Sequence, residues 1–186
     1  IVPILESDDL VHWYFKNAAF ASLGKPSWGT IGANVWAPDV VQIGDTFVMY
    51  YALSTWGDPD PGIGIATAEH PLGPWTDQGK LFTSTEIGVN NSIDPAVFRG
   101  QDGKLYMIWG SFRGLYGVEL TDDGLALQGG LEYARDNKTL VAGLDTSQAF
   151  NLATYEAPYI VYKDGYYYLF VSSGSCCEGK SSTYHV

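Results

Sequence analysis

One short pattern occurs three times in this chain and limits the folds open to it more than any other feature. A proline with a carboxylate within two positions leads into an apolar stretch, a tight turn and a second apolar stretch. The first copy is Trp36-Ala37-Pro38-Asp39, with apolar runs at 40–43 and 46–51 around Gly44-Asp45. The second is Ile93-Asp94-Pro95, with runs at 96–98 and 105–109 around Gln101-Asp102-Gly103. The third is Tyr155-Glu156-Ala157-Pro158, with runs at 159–162 and 166–171 around Lys163-Asp164-Gly165. Strand formers on either side of Asp and Gly read as β-hairpins. The prolines stand 57 and 63 residues apart. Repeats of that order, each holding about four short strands, suggest the blades of a β-propeller.

The stretches between the hairpins fit the same unit. Residues 62–68 read as a third strand, Pro71-Leu72-Gly73-Pro74-Trp75 as a turn, and the region of Gln78-Gly79-Lys80 as a fourth strand. Residues 116–120 read as the next third strand, with Asp122-Asp123-Gly124 as the tight turn into a fourth. Residues 4–13 match 65–75: an apolar strand, a polar turn, then a tryptophan. The chain therefore opens in the second half of a blade, and it closes at 181–186 where a third strand would begin. Residues 132–140 are polar and read as a loop or a short helix, so helix content is expected to be small. An open propeller exposes unpaired edges and an apolar flank. The expectation is a piece of a larger protein, or one that a second chain completes.

Composition agrees. Aromatics are 15% of residues, and 22 Gly and 9 Pro interrupt them, as in an all-β chain. The net charge of −11 argues against a nucleic-acid partner, which needs a basic stripe. No apolar run approaches the roughly 20 residues that span a membrane, so no membrane partner is expected. The first residues, Ile-Val-Pro, read as internal or mature, so the lack of a signal peptide carries no information. Cys176 and Cys177 are adjacent and form no disulfide framework; two reduced thiols packed near the rim of the cleft are the preferred reading. No HExxH or paired CxxC motif is present, and His12, His70 and His185 lie in turn or outer-strand contexts.

In a propeller the first strand of each blade lines a central channel. Asp39, Asp94 and Glu156 would then reach one mouth of it from three successive blades. Convergent carboxylates suit glycoside hydrolysis: one gives a proton to the leaving oxygen, and another activates water or attacks. A third raises the acid's pKa by like-charge repulsion. Trp36, Phe112 and Tyr155 are placed to meet the C–H faces of a sugar. Asp39 has a plainer reading, a strand cap that accepts nearby backbone N–H groups, and that one is preferred.

Taken in order, WAPD at 36–39, NSIDP at 91–95, GSF at 110–112, YEAP at 155–158 and SGSCCEG at 173–179 followed by STY resemble glycoside hydrolase family 43, and within it the arabinan endo-1,5-α-L-arabinosidases. The resemblance covers nearly the whole chain. It implies a five-bladed β-propeller, of which about 3.5 blades would lie here: residues 1–186 from the second half of blade 1 through the first half of blade 4. It implies an inverting glycosidase that cleaves α-1,5-linked arabinan and is secreted or periplasmic. Glu156 matches the general acid and Asp94 the aspartate that modulates its pKa. Asn91, Ser92, Ile93, Ser111 and Phe112 match positions that line the sugar subsite, and Trp36 an aromatic of the cleft. Arg113 stands where the family commonly has tryptophan. The general base, an aspartate before a proline on the first inner strand, has no counterpart. The blade period places it roughly 19 to 25 positions before Ile1. The first inner strand and the fifth blade are thus expected to be missing, and the chain alone to be inactive. The chain itself calls for no cofactor; the resemblance allows a channel metal such as calcium in the complete protein. Two rivals stand beside this reading: an exo-acting α-L-arabinofuranosidase or β-xylosidase of the same family, and a non-catalytic carbohydrate-binding propeller.

Overall fold

The computed structural model describes residues 2–20, 24–143 and 154–174. The described chain forms four antiparallel sheets, taken up in sequence order. The first pairs β1 (Pro3–Glu6) with β2 (Tyr14–Ala18). The second is a four-stranded meander of β3 (Asn34–Ile43), β4 (Thr46–Ser54), β5 (Gly62–Ala68) and β6 (Thr76–Thr83). The third runs β7 (Ala96–Arg99), β8 (Leu105–Trp109), β9 (Leu115–Glu119) and β10 (Thr139–Ala142). The fourth pairs β11 (Tyr155–Lys163) with β12 (Tyr166–Ser173). All three repeat hairpins are present, each at the start of its sheet.

Two short helices interrupt the strands. α1 (Ser84–Ile87) follows β6 and is held by a reciprocal cap, in which Thr83 accepts from the Glu86 N–H and Glu86 accepts from the Thr83 N–H. α2 (Gly130–Asn137) lies between β9 and β10. Asp122-Asp123-Gly124 therefore does not lead straight into a fourth strand, as the sequence suggested. A bridge between Leu120 and Leu127 closes that turn, Gly129 and Gly130 take positive φ, and the polar stretch forms one helix before β10.

β4 is buried along most of its length because both of its faces meet a neighbouring sheet. Val48 and Tyr50 join a core with Val97, Leu105, Met107, Trp109 and Val118 of the third sheet. The alternate residues Met49, Tyr51 and Leu53 join a second core with Ala19, Phe20 and Ala33. Period-2 alternation on a strand covered on both sides gives the unbroken apolar run of its sequence. Two of the buried tyrosines keep their hydroxyls satisfied: Tyr50 donates to Gly124 O at 2.7 Å, and Tyr51 donates to Asp77 at 2.6 Å.

The fourth sheet differs. Tyr159 and Phe170 are cross-strand partners, as are Val161 and Tyr168, so all four share one face. That face is open, with Tyr159 63% exposed. The opposite face turns toward the third sheet, where Tyr167 packs on Phe98 and its hydroxyl accepts from the Gln101 N–H.

Each repeat proline is preceded by a residue in the left-handed region: Ala37 at φ 38°, Asp94 at φ 56° and Ala157 at φ 50°. The strand register slips at the same place, between Trp36 and Asp39 in β3 and between Glu156 and Tyr159 in β11. These are β-bulges, which bend a strand and re-aim its side chains. The motifs at 36–39 and 155–158 thus lie inside long strands rather than ahead of them.

Candidate active site

The site is built from the ends of the second, third and fourth sheets where the repeat prolines stand. Counted from the proline, Trp36, Ile93 and Glu156 hold one position, and Ala37, Asp94 and Ala157 the next. The two acids of interest therefore sit at different places in the repeat, on adjacent sheets. They meet across the seam, where the Ala157 N–H donates to Asp94 Oδ2 at 3.2 Å. Burial raises the Asp94 pKa first, the Glu156 charge raises it second, and the Ala157 N–H opposes both; the result is about 6.

Asp39 does not join them. Its Oδ2 accepts from the Val97 N–H at 2.7 Å, a bond from the second sheet to the third. Burial raises its pKa, while the Val97 and Val40 N–H groups pull it down. The plainer reading of Asp39 holds, and its convergence with the other two carboxylates does not. It stands one position after its proline and faces the backbone of the next sheet.

The segment that carries Asp94 is fixed from beneath. Ser84 on α1 donates to Pro61 O at 2.7 Å and accepts from the Ser92 N–H at 2.9 Å. Ser92 donates to Val89 O at 2.8 Å and accepts from Trp109 Nε1 at 3.0 Å. Ser92 is fully buried and Ile93 nearly so. Both were expected to line the sugar subsite, and both have almost no exposed surface in this structure. Ser111 is buried as well, and its hydroxyl donates to Glu156 Oε2 at 3.1 Å.

Asn91, Phe112 and Arg113 do come together, with Asp58, Pro59 and Asn90, around a cavity of about 310 Å³. Trp36 stands on β3 beside Ala52 and is half-buried. The sequence reading missed Asp58, Pro59 and Asn90. The signal available for the first two was the β4–β5 loop, Trp56-Gly57-Asp58-Pro59-Asp60-Pro61, which returns to the end of the sheet where Asn34 pairs with Ser54. A larger hollow of about 740 Å³ lies between the third and fourth sheets. It is mainly apolar, and its carboxylate, Asp102, accepts from Tyr106, so it is not where carboxylates converge.

Among the described residues no group of three or more His, Cys, Asp or Glu is arranged to hold a metal ion, and no residue is assigned to one. His12 pairs with Asp9 in the β1–β2 turn, and His70 Nδ1 accepts from the Leu72 N–H. Cys176, Cys177 and His185 lie outside the described residues.

Two adjacent carboxyls with a raised pKa on one of them, beside a polar cavity, define a site suited to acid catalysis. The family model of glycosyl hydrolases family 43 matches residues 1–186, and the chain belongs to that family. It is 34% identical over its full length to an extracellular exo-alpha-(1->5)-L-arabinofuranosidase of Cellvibrio japonicus, covering 56% of that protein. It is 32% identical over 98% of its length to an extracellular endo-alpha-(1->5)-L-arabinanase of Bacillus subtilis, covering 55% of it. Among solved structures, the alpha-L-arabinanase of Cellvibrio cellulosa complexed with arabinohexaose matches with a TM-score of 0.79 at 30% identity, covering 98% of this chain and 61% of that one. The chain thus spans little more than half the length of these curated relatives.

Proposed function

We propose that this chain is the larger part of the catalytic propeller of an inverting glycoside hydrolase that cleaves α-1,5-linked arabinan outside the cell. The four sheets are then successive blades, two of them halves, and the open face of the fourth sheet is covered by the rest of the ring. The observation that carries the reading is the meeting of Asp94 and Glu156 across one seam. Glu156 protonates the glycosidic oxygen. Asp94, ionised above about pH 6, sets a like charge beside it, which disfavours a second ionised carboxylate. A carboxylate from outside residues 1–186 activates water from the opposite side of the ring. Asn91, Phe112, Arg113 and Trp36 contact the sugar. The extracellular relatives support secretion.

The test is Glu156→Gln in the whole protein. Activity on linear arabinan should fall by roughly 10²–10⁴-fold, the usual contribution of a general acid. On an aryl arabinofuranoside, whose leaving group needs no proton, the loss should be much smaller. Equal loss on both substrates would contradict the acid role. Relatives of both endo and exo type match this chain. The endo reading expects mixed oligomers as early products, and arabinose alone would replace it with the exo one.

A further inference from the structure

The turn between β8 and β9, residues 110–114, is bonded to both acid-bearing segments. On the Asp94 side, the Gly110 N–H donates to Ile93 O at 2.9 Å and Asn91 Nδ2 donates to Ser111 O at 3.0 Å. On the Glu156 side, the Phe112 N–H donates to Tyr155 O at 2.9 Å and Ser111 Oγ donates to Glu156 Oε2 at 3.1 Å. The turn has little freedom to shift. Gly110 sits at φ 135°, and a Cβ there would lie 2.2 Å from Gly114 O. Phe112 is left-handed at φ 57°. Ser111 itself is 1% exposed, with its hydroxyl turned to the carboxyl.

We propose that Ser111 is a positioning residue for the acid: its hydroxyl engages Oε2 of Glu156 and fixes the orientation in which the carboxyl meets the leaving oxygen. This rests on the reading of Glu156 as general acid. Without that bond the carboxyl loses one hold on its orientation, and the proton is less well placed for a substrate it must meet within hydrogen-bond reach. Asp94 is a titratable group set against Glu156 across the seam, and the charged Arg113 lies two residues beyond Ser111 on the same turn.

The experiment compares Ser111→Ala and Ser111→Thr with Glu156→Gln in the whole protein, on linear arabinan and on the aryl arabinofuranoside. Ser111→Ala should lower kcat on arabinan by about 10-fold or more with KM little changed, and should spare the aryl substrate, which also reports that the variant is folded. Its alkaline pH limb should move up, because a donor to the ionised carboxylate is gone. Ser111→Thr, which keeps the hydroxyl, should recover part of the loss. A rise in KM alone, an unmoved alkaline limb, or equal loss on both substrates with normal Glu156→Gln behaviour overturns the proposal and leaves the acid role standing. Equal loss in Glu156→Gln overturns both.

Discussion

At Asp94, function and stability oppose each other. Its folded pKa of about 6 lies above the ordinary value of 3.8, so between those values the folded chain holds more protons than the unfolded one. Stability therefore falls as pH rises from about 4 to about 6, by up to roughly 2–3 kcal/mol at 1.36 kcal/mol per unit. Asp94→Asn removes that penalty. Its amide oxygen still accepts from Ala157, and asparagine tolerates φ 56° well. Urea unfolding should show the Asp94→Asn variant gaining stability at pH 7.5 and little at pH 4. The same substitution should cost activity and move the alkaline limb down, opposite to Ser111→Ala, because the charge beside Glu156 is lost. The acids themselves were legible in the sequence, since each stands within two positions of a repeat proline. The hold on Glu156 was not. Ser111 is 45 residues away from it, and only the docking of two sheets shows which way that hydroxyl points.

The repeat element is a hairpin with a left-handed residue before its proline. The sequence showed the prolines and their period but not the bulge, because the residue before proline ordinarily takes extended angles. The sheet forces the exception. A left-handed backbone costs a non-glycine residue about 1–2 kcal/mol, and the cost recurs at Ala37 and Ala157. Ala37 is exposed, so glycine there relieves strain without opening a hole. Ala37→Gly should raise stability by a few tenths to about 1 kcal/mol, part of the gain being offset by a more flexible unfolded chain. Ala37→Val should lower it by more than about 1 kcal/mol, since a β-branched residue tolerates positive φ poorly. Denaturant midpoints would read both. The intervening helix α2 was partly legible as a polar stretch. Its placement between β9 and β10 was not, because the Leu120–Leu127 bridge that delays the fourth strand is a pairing that no local pattern announces.

Over the whole molecule, the hydrophobic surface is unevenly covered. The second sheet is packed on both faces, while the fourth leaves Tyr159, Val161, Tyr168 and Phe170 open on one. An apolar face of that kind seeks a partner. Residues 1–186 expressed alone should self-associate and bind a hydrophobic dye. Tyr159→Lys with Phe170→Lys should restore a monomer, as read by light scattering. In the whole protein, where the rest of the ring is proposed to cover that face, the same pair of substitutions should instead destabilise the fold. A dispersed wild-type 1–186 would argue against a missing neighbour there. The four-sheet succession was legible from the proline period, because each sheet is one local meander. Which faces would be covered was not, since that depends on sheets far apart in sequence.

The seam between the third and fourth sheets has one more consequence. Glu156, the proposed proton donor, and Asp94 belong to different sheets joined by a few hydrogen bonds across that seam, so their spacing depends on how those sheets lean together. A small molecule wedged into the hollow behind Phe98 and Tyr167 would tilt one against the other. Such a compound should lower activity without resembling a sugar and without occupying the cavity at Asn91, Phe112 and Arg113.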